Sequence, residues 1–564
     1  MALRWVAFLL FGGYSAAFVS TKTWTVSQRC AEDTNTFLWE IKQDRPQEYA
    51  VLMYDAFGKV GSNVKGGNAN QPGLLQQCRS AHGPAFSGQY CQVFLRQGAV
   101  QYFVGVCVPD TCGEEDVQML ALYGKLEFRK TSLIPPLPSI LVNQSTQEMI
   151  MTHCLPNTIS PSASDVTCLF VCCVMVAIPL AATLFTAIIR WQRNKEVSPI
   201  SASSCLNTGL NVYGALKTNG PSSSDINSST SEENSSHSTR RTSLCFARSC
   251  VHRCLQAFSI QTTSQGVLST SSSIPGGGYS SLNGIRVLSL LWIMCGHSAQ
   301  FPVINNLDNY KNWKTTVERS PLHVLSISGP VFLAVDTFLL LGHRGVFVVV
   351  AGGLLLMTTV LSAVITALLQ LPVFQPSTLT SENYVLYYYV KPHTRYGPFL
   401  IGILTGIYLT TKKEKLLKQK WQAALGWFSC LSLMAAVVGL AFILRETPAH
   451  PSVPHALYQG LHRPLWALAV TWIILACEEG YGGFIKSLLS LGFWVPLSNI
   501  SFACYLTHPV FIILYIGLQE TPIHYTDINF MYLFLGHLVL TLVVGYVFTL
   551  LIEKPYLLLK GSST

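Results

Sequence analysis

The stretch 281–301, SLNGIRVLSLLWIMCGHSAQF, holds two side chains able to do chemistry in an otherwise apolar run of helix length. They are Arg286 and His297, eleven positions apart. At ~100° per residue, eleven steps return to within ~20° of the start, so both share one helix face. At ~1.5 Å per residue they stand ~16 Å apart along it. A guanidinium is always charged and forks onto phosphate. A neutral imidazole takes a proton from an alcohol. Together they fit a path through a membrane that grips a phosphate-rich donor at one mouth and activates a hydroxyl deeper in. Each residue alone has a plainer explanation. Arg286 can be an anchor whose head reaches the interface, and His297 a buried histidine with its hydrogen bonds met. The shared face is what favours the chemical reading.

The elements that must position this pair are membrane helices. Of 564 residues, 49% are hydrophobic and only 12% charged, about half the ~25% usual in soluble domains. Apolar stretches of spanning character lie at 166–190, 285–302, 322–342, 345–370, 397–411, 421–444, 462–477, 495–518 and 529–552. The expected fold is therefore an all-α polytopic membrane protein of about nine transmembrane helices. Arg190, Arg193 and Lys195 follow the first span, which places that end in the cytosol. Alternation then puts His343-Arg344, the lysine-rich 412–420, Lys486 and Lys554 on the cytosolic side, with the C-terminus. The net charge of +9 is accounted for by these loop cations, and nucleic acid is not an expected partner.

Ahead of the spans, residues 1–20 combine Arg4, a short apolar run and small residues near Ala16, Ala17 and Ser20, the pattern of a signal peptide. Residues 21–160 then read as a small disulfide-bonded lumenal or extracellular domain. It carries Cys30, Cys78, Cys91, Cys107, Cys112 and Cys154, an even set whose pairing the sequence leaves open. Asn143 heads a glycosylation sequon there. No metal is expected, because the cysteines lack CxxC pairs and His82 and His153 lack zinc spacing. Residues 191–283 are rich in Ser, Thr and Asn and read as a disordered cytosolic linker between the span 166–190 and a multi-span domain at 284–558. A P-loop, a dinucleotide fingerprint and HExxH are all lacking.

The segment LNGIRVLSLLWIMCGH, with its Arg-x10-His spacing, resembles the acyltransferase-3 superfamily, in particular its nose-resistant-to-fluoxetine branch. CVPDTC at 107–112, Ala334-Val335-Asp336-Thr337-Phe338 and Lys391-Pro392-His393-Thr394-Arg395 fit the same pattern. So do Leu461-His462-Arg463-Pro464, Tyr505-Leu506-Thr507-His508 and Ile552-Glu553-Lys554-Pro555. The resemblance implies an enzyme that moves an acyl group, not an amino-acyl group, from cytosolic acyl-CoA to a hydroxyl acceptor. Acyl-CoA would be the donor substrate and no metal would be needed. His297 would be the general base, Arg286 would help hold the donor, and Asp336 would orient the histidine or line the cavity. Arg395, Arg463 and His508 would line the substrate cavity. Membrane lipids are the expected surroundings, in the endoplasmic reticulum or plasma membrane, with the acceptor unidentified.

The pattern breaks at one place. Phe338-Leu339-Leu340-Leu341-Gly342 runs straight into His343-Arg344-Gly345-Val346-Phe347, a piece that resembles sequence well downstream in relatives. The join near 342/343 reads as an internal shortening that removes cavity walls. Two other functions therefore stand beside the enzyme. One is a carrier of lipids or apolar drugs, or a non-catalytic descendant of this family. The other is a sensor whose cysteine-rich domain binds a partner.

Overall fold

The computed structural model describes residues 26–156, 161–195, 255–270 and 280–563, apart from shorter stretches within them. Those are 60–62, 64–65, 67, 69, 98–99, 123–126, 129–130, 133–149, 256, 306, 320–330, 341–347, 375–376, 382 and 412–414. Residues 1–20, Asn143, most of the linker and the join at 342/343 lie outside the described residues. The chain divides into two units.

The first unit comprises 1–159 together with 302–315 and 518–525. Its centre is a three-stranded antiparallel sheet with Gly88–Gln97 between Val100–Pro109 and Ile150–Cys154. The helices Gln28–Glu40, Glu48–Ala56 and Glu114–Leu122 supply the remaining core. Phe37, Met53, Phe57, Val93, Val106, Val117 and Leu120 fill the space between helices and sheet. All six expected cysteines are used, as Cys30–Cys112, Cys78–Cys107 and Cys91–Cys154. The first ties the helix Gln28–Glu40 to the turn after the strand Val100–Pro109, and the third joins residues directly opposite in register. Tyr90 donates to the Pro72 carbonyl, and burial pushes its phenol pKa up. Residues 302–315 and 518–525 bond within this unit: Asn309 Oδ1 accepts from the Tyr525 amide at 2.9 Å, and Asn63 Nδ2 donates to the Asp308 carbonyl at 3.2 Å.

The second unit is helical. Among the described residues, six helices are long and apolar enough to cross a membrane: Ala163–Gln192, Gly352–Leu369, Lys420–Ile443, Val453–Glu478, Trp494–Leu518 and Asp527–Leu559. The chain is thus a multi-pass integral membrane protein, but the expectation of about nine spans is corrected to six by length and apolarity. The three that fall short do so for separate reasons. Ser281–Asn305 has 25 residues, yet its face of polar groups, Asn283, Arg286, His297 and Gln300 among them, dilutes its apolarity. Val331–Leu340 is described over only 10 residues, and Tyr396–Thr411 has 16. A second correction concerns the linker: Ile260–Leu268, inside the stretch expected to be disordered, is a helix. It is held by bonds from its Ile260 amide to Thr183 Oγ1 at 2.9 Å and from Asn499 Nδ2 to the Val267 carbonyl at 3.0 Å.

Val453–Glu478 is the hub, packed by Val348–Leu369, Tyr396–Thr411, Lys420–Ile443 and Val331–Leu340. Being enclosed by protein, it can carry His462 and Arg463 where a lipid-facing helix could not. Two close approaches bring the neighbours in. A Cβ at Gly296 would overlap the Val331 side chain, and one at Gly402 would overlap the Leu340 carbonyl.

Candidate active site

The helix Ser281–Asn305 carries both Arg286 and His297 in one uninterrupted element. Gly296, by lacking a side chain, lets this helix settle against Val331–Leu340 beside His297. His297 is only 8% exposed. Its Nδ1 lies 3.0 Å from His508 Nε2, and its Nε2 lies 3.4 Å from Tyr389 Oη. The ring lies near-parallel to Phe301, one turn on, and nearly coplanar with His508 across their bond, with interplanar angles of 11° in both cases. His508 in turn has Nδ1 3.3 Å from the Cys504 carbonyl of its own helix.

Tyr389 reaches His297 because Tyr384–Tyr389 is wound as a π-helix, a widened turn often found at functional sites. Arg395 holds it from the other side. Its Nε donates to the Tyr389 carbonyl at 2.8 Å, and its guanidinium lies 4.4 Å over the Tyr389 ring. Arg395, Tyr389, His297 and His508 are thus one connected row.

A second row begins at the adjacent tyrosine. Tyr388 donates to the Gln459 carbonyl at 2.8 Å, and the Arg463 guanidinium lies 5.1 Å over its ring. Arg463 pairs with Asp336, Nη1 to Oδ1 at 3.4 Å, with side chains 3% and 0% exposed. Trp466 Nε1 donates to Thr337 Oγ1 at 2.8 Å and fixes the two helices next to that pair. Asp336 Oδ2 and Arg463 Nε and Nη2 have no hydrogen-bond partner among the described residues. Arg463 also borders a small cavity lined by Thr358, Ser362, Thr394 and Gln459. The orphaned Arg463 nitrogens give the wall beside that cavity donor capacity. Buried polar atoms left unpaired are costly, so water or substrate oxygens are the groups they would take.

Of the residues singled out in the sequence, His297 and His508 touch, Asp336 and Arg463 touch, and Arg395 joins the first pair through Tyr389. Asp336 bonds to Arg463 and has no bond to His297; the ring that contacts His297 at Nδ1 is His508. Arg286 stands apart. Half-buried, it donates to Ser498 Oγ at 3.3 Å, with the Glu553 carboxylate in electrostatic reach. Sequence reasoning missed Tyr388 and Tyr389. Their signal was the run Tyr387-Tyr388-Tyr389 just before Lys391-Pro392, which reads as ordinary aromatic lining of a span end. Among the described residues no group of three or more His, Cys, Asp or Glu could hold a metal ion.

Residues 30–121 match the family model described as "Nose resistant-to-fluoxetine protein, N-terminal domain". The chain is also similar to nose resistant to fluoxetine protein 6 of Caenorhabditis elegans, 32% identical over 176 residues. That alignment covers 30% of this chain and 21% of the relative, so the chain matches about a fifth of the relative's length. No solved structure matches the chain. Both matches are similarities to nose-resistant-to-fluoxetine proteins over part of the chain.

Proposed function

We propose that the chain is a membrane O-acyltransferase of this family, taking an acyl group from cytosolic acyl-CoA to a hydroxyl on an acceptor. The motif set outside residues 30–121 resembles its O-acyltransferase-like members. The observation that carries the reading is His297: a buried imidazole with one nitrogen engaged by His508 and the other facing a single weak partner, Tyr389. A base needs a lone pair within hydrogen-bond reach of the proton it takes. An acceptor hydroxyl replacing Tyr389 Oη at His297 Nε2 meets that need.

His297 Nε2 takes the hydroxyl proton as the oxygen attacks the thioester carbonyl carbon. The tetrahedral intermediate collapses with breakage of the C–S bond. The imidazolium returns its proton to the departing thiolate, releasing an ester and free CoA thiol. Tyr389 Oη and the Arg395 charge above its ring sit where a developing oxyanion would be met. Arg286, ~16 Å along the same helix face, would hold the phosphates of the donor. The cationic loops expected in the cytosol put the Arg286 end of the helix on that side in this reading. Arg463, held by Asp336, would give the small cavity beside it a cationic wall.

The test is release of CoA thiol by the detergent-purified full chain, offered acyl-CoA of several lengths with and without an alcohol acceptor. Saturable release that rises with acceptor and leaves an ester product is expected. No release above the protein-free rate at any length overturns the reading. Saturable lipid binding in that same preparation would then favour a carrier.

A further inference from the structure

We propose that His508 is a positioning residue that fixes which nitrogen of His297 carries the proton. The inference rests on the reading of His297 as a base and deepens it.

The Cys504 carbonyl only accepts, so His508 Nδ1, 3.3 Å away, must be the N–H nitrogen. In a neutral ring the other nitrogen is then an acceptor. His508 Nε2 therefore accepts from His297 Nδ1 across 3.0 Å, which puts the His297 proton on Nδ1. That leaves the lone pair of His297 on Nε2, facing Tyr389 Oη. Tyr389 donates to it weakly, and an incoming hydroxyl can take its place. The opposite assignment needs His508 charged, with both of its nitrogens donating. A cation would then lie 3.0 Å from His297, and among the described residues no carboxylate bonds to either ring to offset it. The neutral arrangement is the one the geometry supports.

The frame behind His508 serves the same end. Cys504 is fully buried, and its Sγ donates to the Thr541 carbonyl at 3.6 Å. A Cβ at Gly545 would overlap that sulfur, so glycine there lets the two helices close around the carbonyl that His508 uses. Pro509 follows at once and has no N–H to give the helix, which loosens the turn where the ring bonds back. The two imidazoles lie nearly coplanar, 11° apart, across that bond, and Phe301 lies near-parallel to His297 at a centroid distance of 5.0 Å, so the plane of His297 is held. This is the logic of a catalytic triad with a neutral histidine in the orienting place. When His297 becomes imidazolium, its Nδ1–H bond to His508 strengthens and helps hold the charge.

The experiment compares His508→Leu, which removes the acceptor, with His508→Gln, whose side-chain carbonyl can stand where Nε2 stood. Leu should lower kcat by up to about 10⁴-fold with KM nearly unchanged, by analogy with a wrong-tautomer histidine. Gln should restore kcat to within about tenfold of wild type. Adding His508→Leu to His297→Ala should cost nothing further, since groups that act as one unit are not additive. Equal losses in Leu and Gln, with matched folding, would assign His508 to packing alone and overturn the proposal. Nitrogen-15 spectra of histidine-labelled wild type give a readout that needs no turnover. The signals lost in His297→Ala should report a protonated Nδ1 and a bare Nε2; a protonated Nε2 overturns the proposal. If wild type shows no turnover, the transferase reading fails, and the spectra still decide the tautomer.

Discussion

The disulfide unit and the buried row of the helical unit hold themselves together by opposite means. In the first, three covalent links cross an apolar core and the charged groups stay outside: Asp55 and Lys59 pair at 2.7 Å with side chains 54% and 48% exposed. In the second, Asp336 and Arg463 pair at 3.4 Å with 0% and 3% exposed, among helices that no disulfide links among the described residues. Water screens the first pair and solvates the remaining charge when one partner goes. The second pair has left water behind, so each charge depends on the other. Stability in one unit resides in chain constraint and apolar burial, whereas in the other it is conditional on polar groups that also face a cavity.

That contrast can be broken by substitution, most sharply at the buried pair. Asp336→Ala leaves Arg463 buried and uncompensated and should cost about 3–5 kcal/mol. A large fall in Tm in detergent is the expected result. Asp336→Leu combined with Arg463→Leu should regain most of that loss, because a well-packed apolar replacement removes both desolvation costs. Next comes a disulfide: Cys91→Ser opens a link spanning 63 residues and should cost about 2–4 kcal/mol. The check is the unfolding of the disulfide unit followed by protease sensitivity at residues 26–156. Gly296→Ala is smaller and has two opposing parts. Helix propensity favours Ala by about 1 kcal/mol, while overlap with the stiff, branched Val331 costs about 1–3 kcal/mol. Net destabilisation near 1 kcal/mol is expected, with a loss of turnover that reports the shift of His297. The smallest effect belongs to Asp55→Ala, at about 0–1 kcal/mol and falling further with salt. An effect there as large as at Asp336 would dissolve the distinction between the two regions.

How much of this was legible in the sequence also differs between the regions. The disulfide unit announced itself: six cysteines behind an apolar leader promised a linked domain, and all six are linked. Their pairing did not, because connectivity depends on strand register such as Cys91 against Cys154. In the helical unit, periodicity put Arg286 and His297 on one face, since that is a property of a single helix. It could not show that His508, 211 positions away, would contact His297, or that Asp336 would pair with Arg463 across 127 positions. Contacts between helices are set by close approaches such as Gly296 on Val331, which no single-helix pattern contains. Counting apolar runs gave nine spans where, among the described residues, six are long and apolar enough: it treated the polar-faced Arg–His helix like a lipid-facing one and did not see that Tyr396–Thr411 has only 16 residues and Val331–Leu340 is described over 10. Tyr389 was hidden by its own chemistry: an aromatic ring in a span end looks like packing until its hydroxyl is seen beside an imidazole.

The measurement that tests the central claim most directly is a kcat and KM comparison for acyl-CoA turnover by wild type, His297→Ala and Arg286→Ala at matched expression. The two ends of one helix face should fail differently. His297→Ala should lose about 10²–10⁴-fold in kcat, the usual worth of a general base. Arg286→Ala should mainly raise KM for the donor and leave kcat within about tenfold, as loss of uniform binding does. Turnover by His297→Ala equal to wild type, or three equally inert proteins, would contradict the assignment of this face to acyl transfer.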